Sequence, residues 1–374
     1  MSLIILRALP VLLFCLAAIS STAVADEQVT IRLQTVLDEF HVANPAAPGV
    51  VVHVESPSLG LEWAAAVGLA NRDSADPLTT DHTFRIASNT KTYVAAAILR
   101  LAEMGKLSLD DPLARYLPAD QYRLLADDGY DLEAMTIHQV LAHTSGLYDH
   151  PTFPHYEKAI LADPHHRWTR LEQITKCVEW GDPVNAPGKW FSYSDTGYII
   201  LGGIIEKLTD ENLGSAVRGL LDFEGLGLKS TWWEILEEQP AGAGPRAHQY
   251  FGDLDTYDWD ASLDLYGGGG LVCNVRDLAL FTRLLLEGRI LQEKSSLAAM
   301  TSAGTLNYGL GLANINLGEY LAQGHTGFWN TFVFHVSELD LTVSGCILNH
   351  HAEKGRELAW RLVEAVAGDA AGER

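Results

Sequence analysis

Apolar, strand-like segments stand at both ends of this chain, and the long stretch between them reads as helix. Near the start, Gly49–Glu55 and Leu61–Leu69 flank the turn-rich Ser56–Gly60, a pattern that predicts a hairpin. Near the end, Tyr308–Asn314, Glu319–Gly324, Thr331–Val336 and Leu341–Leu348 read as strands with short connections. Helices are expected at Glu27–Val42 and Glu353–Ala367, and about residues 88–300 are helical in pattern, broken by Pro- and Gly-rich loops. This distribution predicts an α+β fold in which the two chain ends build one sheet and the middle is inserted as a helical lobe. Clefts commonly form between such lobes.

The first 25 residues differ from the rest. Met1–Pro10 carries a single charge, Arg7, and Val11–Ser20 is a short apolar run followed by Ala23-Val24-Ala25. The run is short for a bilayer span and ends in a small-x-small pattern, so it reads as a secretory signal peptide cleaved after Ala25, with an uncleaved N-terminal anchor as the alternative. Phe14 before Cys15 makes a lipid-attachment site a poor reading. The expected product is periplasmic or secreted, with residues 26–374 forming one unit. Its sheet lobe is placed at about 26–87 and 301–374, and its helical lobe at about 88–300.

With 374 residues, 47% hydrophobic and 20% charged, the chain has material for a substantial core. The formal charge is −22, and leader cleavage would remove one further positive charge. Such acidity opposes nucleic acid and anionic membranes. The partner expected is a small-molecule or peptide substrate, with no nucleic acid and no membrane span after cleavage; oligomeric state is left open. Beyond the leader, Cys177, Cys273 and Cys346 are odd in number and fit no zinc spacing. Cys346 lies in an apolar run and reads as a buried thiol.

One helix is well marked. From Ser88 onward, Val94, Ala97, Ile98, Leu101 and Ala102 fall at helical spacing, with Gly105 as a stop and Ser88 and Lys91 in the first turn. Its other faces are apolar as well, so it should be central and buried. A second helix is expected to be capped by Asn274, with Asp277 three residues later. In Ser88-Asn89-Thr90-Lys91 the hydroxyl and amine share a helix face. Serine needs a neighbour to take its proton, and a desolvated lysine beside a helix N-terminus suits that role. Such a tetrapeptide arises by chance about once in a chain of this length, so its company matters. Tyr193-Ser194-Asp195 and His325-Thr326-Gly327 follow in order.

With these three elements the chain resembles the serine β-lactamase and penicillin-binding family, whose motifs are S-x-x-K, Y-x-N or S-D-N, and K-T-G. Phe84–Ala87, Leu107–Pro112, His143–Leu147 and Gly268–Leu271 resemble its flanking segments, so the likeness runs from about residue 45 to residue 350. The separation of 105 positions from Ser88 to Tyr193, with a tyrosine before the Ser-Asp pair, resembles the class C β-lactamases, the D-Ala-D-Ala carboxypeptidases and related esterases. The resemblance implies an antiparallel sheet with terminal helices, no cofactor and no metal. Ser88 is then the nucleophile acylated by an amide or ester, and Lys91 and Tyr193 move its proton. The backbone N–H groups of Ser88 and Phe328 form the oxyanion hole, and Asp195, His325, Thr326 and Gly327 line the substrate side. In the other alignment, Ser194 replaces Tyr193 in the proton path.

Two residues depart from the family pattern. Asp195 stands where asparagine is usual, and its carboxylate would favour the ammonium form of Lys91 if the two were paired. His325 stands where lysine is usual, so a fixed charge for a substrate carboxylate is missing. Carboxypeptidase or D-amino-acid peptidase, carboxylesterase and weak β-lactamase activities remain open, as does a non-catalytic ligand-binding protein. The six histidines from His138 to His166 lack metal-ligand spacing and read as a polar loop at the cleft rim. Gly267–Gly270 reads as backbone close to the site. Trp232, Trp233 and Trp329 fit either an apolar pocket or the core.

Overall fold

The computed structural model describes residues 11–352 and 354–370, with side chains described for 27–352 and 354–368. The first ten residues of the expected leader lie outside the described residues. Six strands form the main sheet: β1 (Gly49–Ser56), β2 (Leu61–Gly68), β3 (Ala313–Leu317), β4 (Tyr320–Gly327), β5 (Thr331–Val336) and β6 (Leu341–Ile347). Five helices support it and the site: α1 (Val11–Ala43), α2 (Thr90–Glu103), α3 (Asp195–Thr209), α4 (Val275–Leu286) and α5 (Gly355–Ala370).

The strand order is β2-β1-β6-β5-β4-β3, all antiparallel, so the two ends of the chain meet at the β1–β6 seam. There Val50 opposes Ile347 and Val54 opposes Val343. β1 is buried on both faces, which is why it reads as a continuous apolar run. Val50, Val52 and Val54 pack against Leu33, Leu37 and Phe40 of α1 and Leu358, Leu362 and Val366 of α5. Each such side chain stabilises the fold by about 1.5–3 kcal/mol. Val51, Val333 and Cys346 point the other way, into the larger core beneath the helices.

α2 crosses the middle of that core with Tyr93–Leu99 buried on every face. It ends just before Gly105, whose φ of +68° suits glycine. α4 packs on β1, β5 and β6, and Asn274 caps it by accepting from the Asp277 N–H at 2.9 Å. Cys177, Cys273 and Cys346 are free and buried. A small sheet, Phe84–Arg85 with Leu271–Cys273 and Trp232–Trp233, leads into the nucleophile turn.

Three expectations shift. Ser88 lies in a 3-10 turn, Ala87–Asn89, and the α-helix proper begins at Thr90. The expected strand Tyr308–Asn314 starts only at Ala313, because Gly311 at φ +71° turns the chain first. The opening helix begins at Val11 and runs through Ala25 without a break. Among the described residues, no helix is long and apolar enough to cross a membrane.

Candidate active site

The turn carrying Ser88 is strained and held. Ala87, which has a Cβ, takes a φ of +46°, a conformation that costs about 1–3 kcal/mol for such a residue. Ile86 O accepts from Asn89 Nδ2 and from Thr331 Oγ1, both at 2.9 Å, tying the turn to β5. Arg85 forks onto Glu234 at 2.7 and 3.1 Å and donates to Trp259 O at 2.8 Å. Gly327 completes the fit, since a Cβ there would stand 2.2 Å from Ile86 O. β4 therefore approaches the serine as closely as backbone permits.

Lys91 follows Ser88 and is fully buried. Its ammonium donates to Ser88 Oγ at 2.9 Å and to Gly268 O at 2.7 Å, and it pairs directly with the Asp195 carboxylate. Burial opposes the charge, but Asp195 and Tyr193 outweigh it and hold the Lys91 pKa above the ordinary lysine value. The Tyr193 ring lies 4.9 Å from Lys91 Nζ, and Lys91 and Ser88 both lie close enough to favour its ionised form. Burial raises the phenol's pKa, with Lys91 pulling it down and Asp195 pushing it up.

Tyr193 and Ser194 separate cleanly. Ser194 caps α3, its hydroxyl accepting from Gly197 N–H at 3.3 Å and donating to Tyr148 O at 3.2 Å, away from the cavity that Tyr193 lines. Behind Tyr193, His143 is buried with its ring 4.2 Å away, and its Nδ1 accepts from the Ser194 N–H at 3.1 Å. His143 and His150 are thus interior supports, whereas His138, His155 and His165 are exposed. The expected single histidine rim does not form, because α3 and the Ser145–His150 loop pack inward over these two rings.

On β4, His325 Nδ1 donates to Thr326 O at 2.6 Å, which leaves Nε2 to accept from the Tyr308 hydroxyl at 2.9 Å. Burial, aided by Lys91, lowers its pKa to about 4. The ring is neutral near pH 7 and both nitrogens are occupied.

Ser88, Tyr193, Asp195, His325, Thr326, Gly327 and Phe328 all line one cavity of about 530 Å³, with Lys91 beneath it. Its walls are aromatic: Phe153, Phe251 and Phe328 stand near-parallel with centroids 6.0–6.3 Å apart, joined by Trp259 and Trp329. Three carboxyls that the sequence pattern does not mark also line it: Glu157, Asp149 and Asp264. Asp149 Oδ1 accepts from the Asp195 N–H at 2.7 Å, and burial together with Asp195 pushes its pKa up to about 8. Asp264 is pushed up to about 7 for the same reasons. Asp149 follows the His143–Leu147 motif and Asp264 precedes the glycine run, the two signals that pointed nearby. Among the described residues, no group of three or more His, Cys, Asp or Glu side chains forms a metal site.

A sheet joined from both chain ends, with a serine turn and the lysine after it packed against β4 and β5, defines a serine hydrolase. The chain belongs to the Beta-lactamase family, whose model matches residues 37–367. Esterase EstB of Burkholderia gladioli is 36% identical over 163 residues, 42% of this chain. The alignment spans only 41% of that curated relative's length. The D-amino acid amidase of Ochrobactrum anthropi SV3, solved with L-phenylalanine amide, has a TM-score of 0.78 at 25% identity over 91% of this chain and 99% of its own. A D-stereospecific amidohydrolase from Streptomyces sp. has a TM-score of 0.74 at 26% identity, covering 90% and 98%.

Proposed function

We propose that this chain is an exported serine hydrolase that cleaves small esters or amides through an acyl-enzyme at Ser88. The observation that carries the reading is the contact of Ser88 Oγ with the buried Lys91 ammonium and the Tyr193 oxygen at the floor of an aromatic-walled cavity. Export rests on the N-terminal apolar run and Ala23-Val24-Ala25.

Lys91 is held as a cation, so it steadies charge instead of serving as the free base. The reacting form is the one in which Tyr193 has lost its proton beside that ammonium. Ser88 Oγ bonds to the substrate carbonyl carbon as its proton passes to the Tyr193 oxygen. The carbonyl oxygen becomes an oxyanion facing the backbone N–H groups of Ser88 and Phe328. Collapse breaks the bond to the alcohol or amine, which leaves with the proton from Tyr193. Water then repeats the sequence on the acyl-enzyme, and Ser88 regains its proton.

The EstB likeness and the two amidase folds support ester and amide substrates. The neutral, fully bonded His325 disfavours a substrate that needs a cation for its carboxylate. One feature favours the carboxypeptidase or weak β-lactamase reading: Arg356, exposed on the first turn of α5, also lines the cavity. Intact-mass measurement after mixing with an activated ester, a D-alanyl peptide and a penicillin ranks these readings. The expected result is a fast, clearing adduct with the ester and a slow one or none with penicillin. No adduct and no turnover with any reagent would make the chain a ligand-binding protein.

A further inference from the structure

Asp264 is a carboxylate of the cleft that the reaction above does not use. It lines the cavity with Ser88, and no hydrogen bond or ion pair reaches its carboxylate among the described residues. It is half-buried, and the cavity it lines is the opening before it. The chain makes room for it there: a Cβ on Gly269 would stand 2.3 Å from Asp264 Oδ1. The neighbouring Tyr156 hydroxyl does not satisfy it, because that group donates to Leu263 O.

The charges around it do not balance. Asp149, Asp195 and Asp264 all act on the buried Tyr156, which places them around one space. Two cations act on Asp264, and both are already engaged: Lys91 by Asp195, Ser88 and Gly268, and Arg85 by its fork onto Glu234. The remaining charged wall residues are Glu157, a further acid, and Arg356, which acts on His325. An unpaired carboxylate is costly to hold in such a place. A ligand that brings a positive charge relieves that cost, and the surrounding aromatic rings favour a cation further.

We infer that the cleft selects substrates bearing an ammonium group next to the scissile carbonyl, as in aminoacyl esters and amides, with Asp264 as its anchor. The inference rests on the acyl-enzyme reading and names the substrate class of the same site. Burial and Asp195 raise the Asp264 pKa, as expected of a carboxylate awaiting a counter-charge.

The test compares phenylalanine methyl ester, in each enantiomer, with 3-phenylpropionate methyl ester, which has the same skeleton without the amine. The wild-type enzyme should favour the better aminoacyl enantiomer at least tenfold in kcat/KM. The Asp264→Asn variant should bring that ratio to near one, chiefly through KM. Phenethylammonium should also inhibit the wild type at least tenfold more strongly than phenethyl alcohol, a readout that needs no variant. Equal use of both esters by the wild type, or a preference unchanged in Asp264→Asn, overturns the inference. A Ser88 adduct formed by an activated ester in the same preparation shows that the acyl-enzyme reading stands apart from that failure.

Discussion

Replacing Asp195 by Asn removes a carboxylate from direct contact with an ammonium that has no access to water. Two unit charges about 4 Å apart interact by about 4 kcal/mol at an effective dielectric of about 20. That corresponds to about three pKa units. Asp195 keeps 17% of its side-chain exposure, and the new amide still accepts a hydrogen bond, so about half of the effect should survive. Asp195 holds the pKa of both Lys91 and Tyr193 up. Its loss lowers both, and the form that has given up one proton is reached at lower pH. The acid limb of kcat/KM for an uncharged ester should therefore move down by about 1.5 pH units. Full pH–rate profiles of the two proteins, with circular dichroism to show that both are folded, make the comparison. Superimposable profiles, or an upward shift, would refute the pairing as the element that sets the proton transfers.

Gly327→Ala places a Cβ 2.2 Å from the backbone oxygen of Ile86, so β4 must withdraw from the Ser88 turn. Thermal unfolding should show a loss of about 1–3 kcal/mol, with activity down by at least tenfold; wild-type turnover would contradict the fit described. Asp264→Asn should alter the pH dependence of stability. A carboxyl raised from 3.8 to about 7 stays protonated in the folded chain after the unfolded chain has ionised, so it costs stability progressively from about pH 4 to pH 7. Urea midpoints should show the variant gaining about 2–4 kcal/mol on the wild type between pH 4 and pH 8; a difference independent of pH would count against it. Tyr308→Phe leaves His325 Nε2 without its donor, and the ring should titrate above about 4 by NMR. An unchanged value would assign the neutrality to burial and Lys91 without Tyr308.

The seam of the sheet was legible because β1 and β6 are buried on both faces and write themselves as apolar runs. The serine, lysine and tyrosine are legible as short motifs in order, and the glycine run reads as backbone near the site. Gly268 O indeed accepts from Lys91. Asp149 and Asp264 were not legible, since an aspartate beside a turn is an ordinary loop residue until the fold turns it into a cavity. Tyr308 reads in the sequence as the start of a strand, because local pattern does not show that Gly311 turns the chain and leaves the Tyr308 hydroxyl on His325. His143 and His150 looked like rim residues for a similar reason: only the packing of α3 encloses them.

The central claim is that acylation occurs at Ser88 with Lys91 and Tyr193 around it. Its most direct test is rapid quenching of the enzyme with an activated ester, followed by peptide mapping of the adduct. The account predicts a burst of one alcohol per enzyme and an acyl group on the peptide containing Ser88, both absent from Ser88→Ala. A burst that survives in Ser88→Ala, or an acyl group found on another residue, would contradict it.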